Sequence, residues 1–171
     1  MSMSYQLAQP NDLSRLSSFV NRAYRGDSAR QGWTHEADLL DGTRVEASLL
    51  AEELARGVSL VMAHDSGELL GCYHFEMKDA VTAYVGMITV DPLRQGSGLG
   101  KQLLENAFTR ARSLGAQVII LTVMSDRHEL IAYYERRGFK LTGMQFNFEP
   151  GDVRYGLPKK DLVLLEMIRN L

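Results

Sequence analysis

The sequence predicts an α+β, three-layer fold on three observations. Strand-like and helix-like stretches follow the order strand, two helices, three strands, helix, strand, helix, two strands. That order lacks the steady strand–helix alternation of a doubly wound fold. The 171 residues are 45% apolar and 23% charged, the composition of one globular domain spanning 1–171. A chain of this length buries a core without disulfide or metal staples. The expected sheet has about seven strands flanked by about four helices.

Each element has a local reason. Residues 5–8 form a short strand. Pro10-Asn11-Asp12 starts a helix whose buried stripe is Leu13, Leu16, Phe19, Val20 and Ala23. Residues 26–42 have no clear period and hold the lone tryptophan, Trp33. A second helix is predicted over 44–56, with Val45, Leu49 and Leu54 on one face. Strands over 58–63 and 69–77 flank His64-Asp65-Ser66-Gly67, a hairpin signal. A third strand runs over 82–90. A glycine-rich turn at 95–100 opens a helix that Gly115 ends. Residues 118–124 are apolar and β-branched, the pattern of a central strand. A short helix over 127–137 is closed by Gly138, with Asp126 expected as its cap. Residues 139–148 and 161–168 are the last strands, joined by a loop over 149–160 with two prolines and two glycines.

Charge excludes several roles. The 19 basic and 21 acidic residues give a net charge of −2, so no general polycationic surface serves a nucleic acid. The single cysteine, Cys72, excludes an internal disulfide and fits a reducing compartment. The first residues show no basic-then-apolar signal pattern. The longest apolar run, 118–124, is far short of the ~20 residues that span a bilayer. The expectation is a cytoplasmic protein with no membrane partner. His35, His64, His74 and His128 make no H-x-x-x-H pair, so no metal is expected, and G-x-S-x-G is absent.

The strongest chemical signal is Val90-Asp91-Pro92-Leu93-Arg94-Gln95-Gly96-Ser97-Gly98-Leu99-Gly100-Lys101, a strand, turn and helix start. Alternating glycines let backbone approach a ligand, and the free N–H groups of a helix start favour phosphate oxygens. The Walker pattern fails at Gln95 and Gln102, and the dinucleotide pattern fails at Lys101. The bland reading is a glycine-rich helix cap.

Gln95-Gly96-Ser97-Gly98-Leu99-Gly100 resembles the Q/R-x-x-G-x-G/A motif of the GNAT (GCN5-related) N-acetyltransferase superfamily. Ala132-Tyr133-Tyr134-Glu135-Arg136-Arg137-Gly138-Phe139 is similar to that family's tyrosine helix ending in Gly-Phe. The resemblance is good over 69–148, and looser at both ends. It implies a mixed, mostly antiparallel twisted sheet and acetyl-CoA as cosubstrate. It implies further that the backbone of Gln95, Gly96, Ser97, Gly98, Leu99, Gly100 and Lys101 holds the pyrophosphate. Ile88, Thr89 and Val90 would pair with the pantetheine arm, with an N–H near Ile88 as oxyanion donor. Tyr134 matches the family tyrosine that protonates the leaving thiolate. Many members carry asparagine seven positions earlier. Arg127 stands there in this chain, as a weaker cofactor contact.

The resemblance does not fix the base or the acceptor. Glu36, His74 and Glu76 are candidates for the base, with Cys72, His74 and Glu76 sharing one face of a strand. Trp33, Glu36 and Asp38 are expected to line the acceptor side, where acids would favour a cationic amine. The implied activity is acetyl transfer to a primary amine of a small molecule or peptide. The alternatives are a CoA-binding sensor without turnover and an unrelated anion-binding protein. Family analogy points to a homodimer, with the strand at 161–168 as the interface.

Overall fold

The computed structural model describes residues 3–33, 35–148 and 156–171. A seven-stranded sheet runs in the order β1-β3-β4-β5-β6-β9-β7. Its strands are β1 (Ser4–Leu7), β3 (Ser59–Asp65), β4 (Glu68–Met77), β5 (Thr82–Val90), β6 (Val118–Met124), β7 (Lys140–Asn147) and β9 (Val163–Asn170). The longer helices are α1 (Leu13–Tyr24), α3 (Ala47–Ala55), α4 (Leu99–Ser113) and α5 (His128–Glu135), and α2 (Gly26–Ala29) is a single turn. Among the described strands of this sheet, only the β5–β6 pairing is parallel. This is the mixed, mostly antiparallel three-layer arrangement expected from the sequence.

Side-chain alternation along the strands separates the two faces. Leu60, Met62 and Cys72 pack with Leu16, Phe19 and Val20 of α1 and Leu49 and Leu50 of α3. Val61, Ala63, Tyr73 and Phe75 pack instead with Leu103, Ala107 and Phe108 of α4 and Tyr134 of α5. The β3–β4 hairpin turns through Ser66 (φ 51) and Gly67 (φ 83). Two successive positive φ values match the right-handed strand twist.

Two features of β5 shape the centre of the molecule. It pairs with β6 only through Thr82 with Val118, Ala83 with Ile119 and Tyr84 with Ile120, and the strands then separate. On its other edge the register jumps from His74–Gly86 to Cys72–Thr89, so Met87 and Ile88 form a bulge opposite Tyr73. Met87 sits at φ 48 there, left-handed backbone that a non-glycine residue rarely adopts.

Several expectations change. The second helix starts at Ala47, not at residue 44, because Asn21 captures the backbone before it. Its Oδ1 accepts from the N–H groups of Arg44 (2.7 Å) and Val45 (3.0 Å), and its Nδ2 donates to the Val45 carbonyl (2.8 Å). Asp126 is not the cap of α5. The cap position is Arg127, without a side-chain bond, and Asp126 pairs with Lys160. A small sheet of β2 (Leu40–Asp41) and β8 (Leu157–Pro158) was not foreseen. Two-residue strands joined across the chain carry no periodic signal. Of the expected 149–160 loop, 149–155 lie outside the described residues. The last strand, β9, lies between β6 and β7 with both edges paired, so it has no free edge for a dimer.

Candidate active site

The glycine turn and α4 form one wall of the site. Gly96 (φ 84) and Gly98 (φ 86) adopt left-handed backbone, and a Cβ on either would meet nothing within 4 Å. The turn is therefore open on the side where a ligand approaches. The first intrahelical bond of α4 runs from Gln102 N–H to the Gly98 carbonyl at 3.1 Å, and no side chain caps the helix. The N–H groups of Leu99, Gly100 and Lys101 thus have no acceptor within the helix, and the helix dipole adds positive potential there. The Leu99 side chain is buried in the core, so only its backbone belongs to the turn. Ser97 turns its hydroxyl inward, donating to the Arg94 carbonyl at 2.6 Å.

Gln95 ties this turn to the irregular segment after α2. Its Oε1 accepts the Trp33 N–H at 2.8 Å. Trp33 is half exposed and packs on Tyr133 at 5.7 Å between ring centroids. The Arg137 guanidinium lies 3.4 Å above the Tyr133 ring. A cavity of about 220 Å³ follows, lined by Trp33, Ile88, Gly98, Tyr133, Tyr134 and Arg137 among others. Glycines, open N–H groups and a guanidinium at one end, with an apolar channel along β5, suit a phosphorylated group with a long uncharged arm.

A second cavity, about 230 Å³, occupies the gap between β5 and β6. The two cavities share Tyr24, Ile88, Leu130 and Tyr134. Tyr24, the last residue of α1, donates its hydroxyl to the Ile88 carbonyl and so fixes the bulge. Burial, with Glu36 nearby, pushes the Tyr24 phenol up to about 12. Burial also drives the Tyr134 phenol well above its ordinary value, with Tyr24 and Tyr133 acting in the same direction. Tyr134 is therefore neutral, with a proton to donate, throughout the physiological range.

The gap cavity is lined by Arg25, Arg44, Arg127 and Glu36. Glu36 Oε2 accepts from Arg25 Nη2 (2.9 Å) and Nε (3.3 Å), and Arg44 Nε is 3.7 Å away. Arg127 lines this gap and not the glycine-turn cavity. Trp33, expected on the acceptor side, lines the glycine-turn cavity. Asp38 lines neither cavity and is an exposed partner of Arg30 at 2.6 Å. Glu76 also lies outside both, 3.3 Å from Lys78 and 3.6 Å from His74. His74 is 3.3 Å from Glu53 on α3, and Cys72 is a buried core thiol. Tyr24, Arg25, Arg44 and Arg137 were not singled out in the sequence. Tyr24 continues the α1 stripe four residues after Val20, but nothing local marks the arginines.

The chain matches the model of the acetyltransferase (GNAT) family over residues 22–139. It belongs to the GNAT family. Within the family it resembles the mycothiol acetyltransferase of Mycobacteroides abscessus, with 32% identity over 136 residues, 76% of this chain and 43% of that protein. The mycothiol acetyltransferase of Beutenbergia cavernae is 31% identical over 101 residues, 58% of this chain and 32% of that one. This GNAT chain thus spans less than half the length of these relatives. Its fold resembles the ribosomal-protein-S18-alanine N-acetyltransferase of Escherichia coli, with a TM-score of 0.72 and 18% identity over 99% of this chain and 94% of that one. It also resembles a GNAT acetyltransferase of Elizabethkingia anophelis solved with acetyl-CoA bound, with a TM-score of 0.63 and 16% identity over 99% and 98% of the two chains. Among the described residues of this GNAT domain, no acid, histidine and cysteine cluster suits a metal ion. None of its described helices is long and apolar enough to cross a membrane.

Proposed function

We propose that this chain moves the acetyl group of acetyl-CoA to a primary amine by direct attack in a ternary complex. The observation that carries the reading is the meeting of two cavities at Tyr24, Ile88, Leu130 and Tyr134. One opens on the α4 N-terminus and the other fills the gap between β5 and β6, so two substrates can enter from different sides. When bound, acetyl-CoA supplies an activated thioester.

The chain's own groups have these roles. The turn from Gln95 to Lys101 holds the pyrophosphate through backbone N–H groups, with Arg137 beside it. Val90, which lines the glycine-turn cavity, guides the pantetheine arm along β5, whereas Thr89 is buried and lines neither cavity. The bulge at Ile88, held by Tyr24, aims backbone toward the thioester oxygen. As the C–N bond forms and the C–S bond breaks, Tyr134 donates its proton to the departing thiolate, and the proton released by the attacking nitrogen restores the phenol. Glu36 is engaged by Arg25, so it holds the cationic wall in place, and the amine enters already uncharged. Glu76 lines neither cavity and has no part in this reading.

Calorimetry with acetyl-CoA, repeated on Gly98→Glu, tests the cofactor half. Micromolar-range binding that the variant loses supports it. Thiol release with a panel of primary amines tests the transfer. Binding without thiol release toward any amine favours the sensor reading, and no binding by the wild type overturns the proposal.

A further inference from the structure

The gap cavity is more cationic than an amine-binding site needs. Among the described residues, Arg25, Arg44 and Arg127 line it with one carboxylate, Glu36, leaving two positive charges in excess. Arg25 and Arg44 are tied to Glu36, and Arg25 also donates to the Thr43 carbonyl at 2.8 Å. Arg127 differs. It is 7% exposed, and its Nη2 is buried with no hydrogen-bond partner among the described residues. A buried guanidinium nitrogen lacking an acceptor is unfavourable unless a ligand completes it. The backbone explains its position. Arg127 follows the end of β6, its N–H bonds to the Met124 carbonyl at 2.9 Å, and its carbonyl receives Ile131 as α5 begins. This places the residue at the mouth of the gap, beside the tyrosines that border both cavities.

We propose that the acceptor is a small amine bearing an oxyanion, a carboxylate or a phosphate, and that Arg127 binds this group with Arg25 and Arg44 completing the field. The inference rests on the acetyl-transfer reading and assigns its substrate class. The planar fork of a guanidinium pairs with either anion in two parallel hydrogen bonds. The amine then points toward Ile88 and Tyr134, and the anion lies away from the thioester. Arg127 thereby selects the acceptor and takes no part in the chemistry.

Matched probes test this. Thiol release from acetyl-CoA is compared for glycine against glycinamide, β-alanine against its amide, and O-phosphoethanolamine against ethanolamine. The expected result is a preference of tenfold or more in kcat/KM for the anionic member of at least one pair. Preference in the first two pairs identifies a carboxylate, and preference in the third a phosphate. In Arg127→Met that preference should fall below about threefold, through acceptor KM and not kcat, and Arg127→Lys should restore part of it. Equal use of charged and neutral partners by the wild type overturns the inference, as does a preference that Arg127→Met retains. Binding of N-acetylglycine, N-acetyl-β-alanine and N-acetyl-O-phosphoethanolamine is measured separately by calorimetry at saturating CoA. If no amine releases thiol but wild type binds one of these anions and Arg127→Met does not, acetyl transfer fails and the anion site stands. If neither readout responds to Arg127, the anion site fails whatever the activity.

Discussion

Tyr134 is a phenol at the junction of two cavities, and burial keeps its proton on. Tyr134→Phe removes that proton while leaving the ring packed against Phe139, 5.8 Å away between centroids. The expected loss in kcat is about 10²-fold, the low end for acid catalysis because a thiolate leaves readily. Thiol release measured beside the wild type checks it, with melting temperature as a control. Because the Tyr134 phenol is raised, its ionisation does not cut activity below pH 9. The rate should climb with pH as more amine is uncharged, and a decline between pH 8 and 9 would contradict the role. Glu36→Gln addresses the proton acceptor. If Glu36 only holds Arg25 and Arg44, the variant raises acceptor KM and keeps the same ascending pH limb. Loss of that limb would make Glu36 the base.

The α4 start and the α1–α3 junction depend on single residues whose roles lie in the backbone. Gly98 occupies left-handed space with nothing around its absent Cβ. Gly98→Ala should therefore lower stability by ~1–2 kcal/mol from strain alone, visible in denaturant midpoint. Gly100 differs, since a Cβ there would lie 2.7 Å from the Tyr133 hydroxyl. Gly100→Ala should raise KM for acetyl-CoA by displacing that ring, with little change in melting temperature. Asn21 supplies three hydrogen bonds to the backbone of Arg44 and Val45. Asn21→Ala should cost about 2–3 kcal/mol, because the Arg44 and Val45 N–H groups lose their acceptor, while the Val45 carbonyl keeps the Ser17 hydroxyl. Urea unfolding measures it, and a change under 0.5 kcal/mol would mean that another group takes over.

The whole molecule should be most stable between about pH 7 and pH 9. Burial lowers His74 and His64 below the ordinary 6.5, opposed at His74 by Glu53 and Glu76. Below that value the unfolded chain binds protons that the fold resists, so stability falls as pH drops. Burial raises Cys72 from 9.0 to about 12 and Tyr24 from 10.0 to about 12, and raises Tyr73 and Tyr134 as well. The unfolded chain then loses these protons first, so stability also falls as pH rises above about 9. Melting temperature across pH 5 to 11 checks both limbs. A flat alkaline limb would mean that these groups reach water in the fold.

The sequence by itself determined the layers, the glycine turn and the tyrosine helix. Those features rest on local rules: side-chain period, turns needing positive φ, and a motif whose spacing survives without a gap. Val61 and Ala63 on one face and Leu60 and Met62 on the other follow from period two alone. The tertiary structure decided what lies at the centre of the gap. Arg25, Arg44 and Arg127 come from three separated places and converge only once β5 and β6 part. Trp33 and Asp38, five residues apart, end in different surroundings because Gln95 and Tyr133 hold one and Arg30 holds the other. The insertion of β9 between β6 and β7 is likewise invisible locally. Strand order follows from long-range burial and backbone pairing, and neither leaves a mark within a window of ten residues.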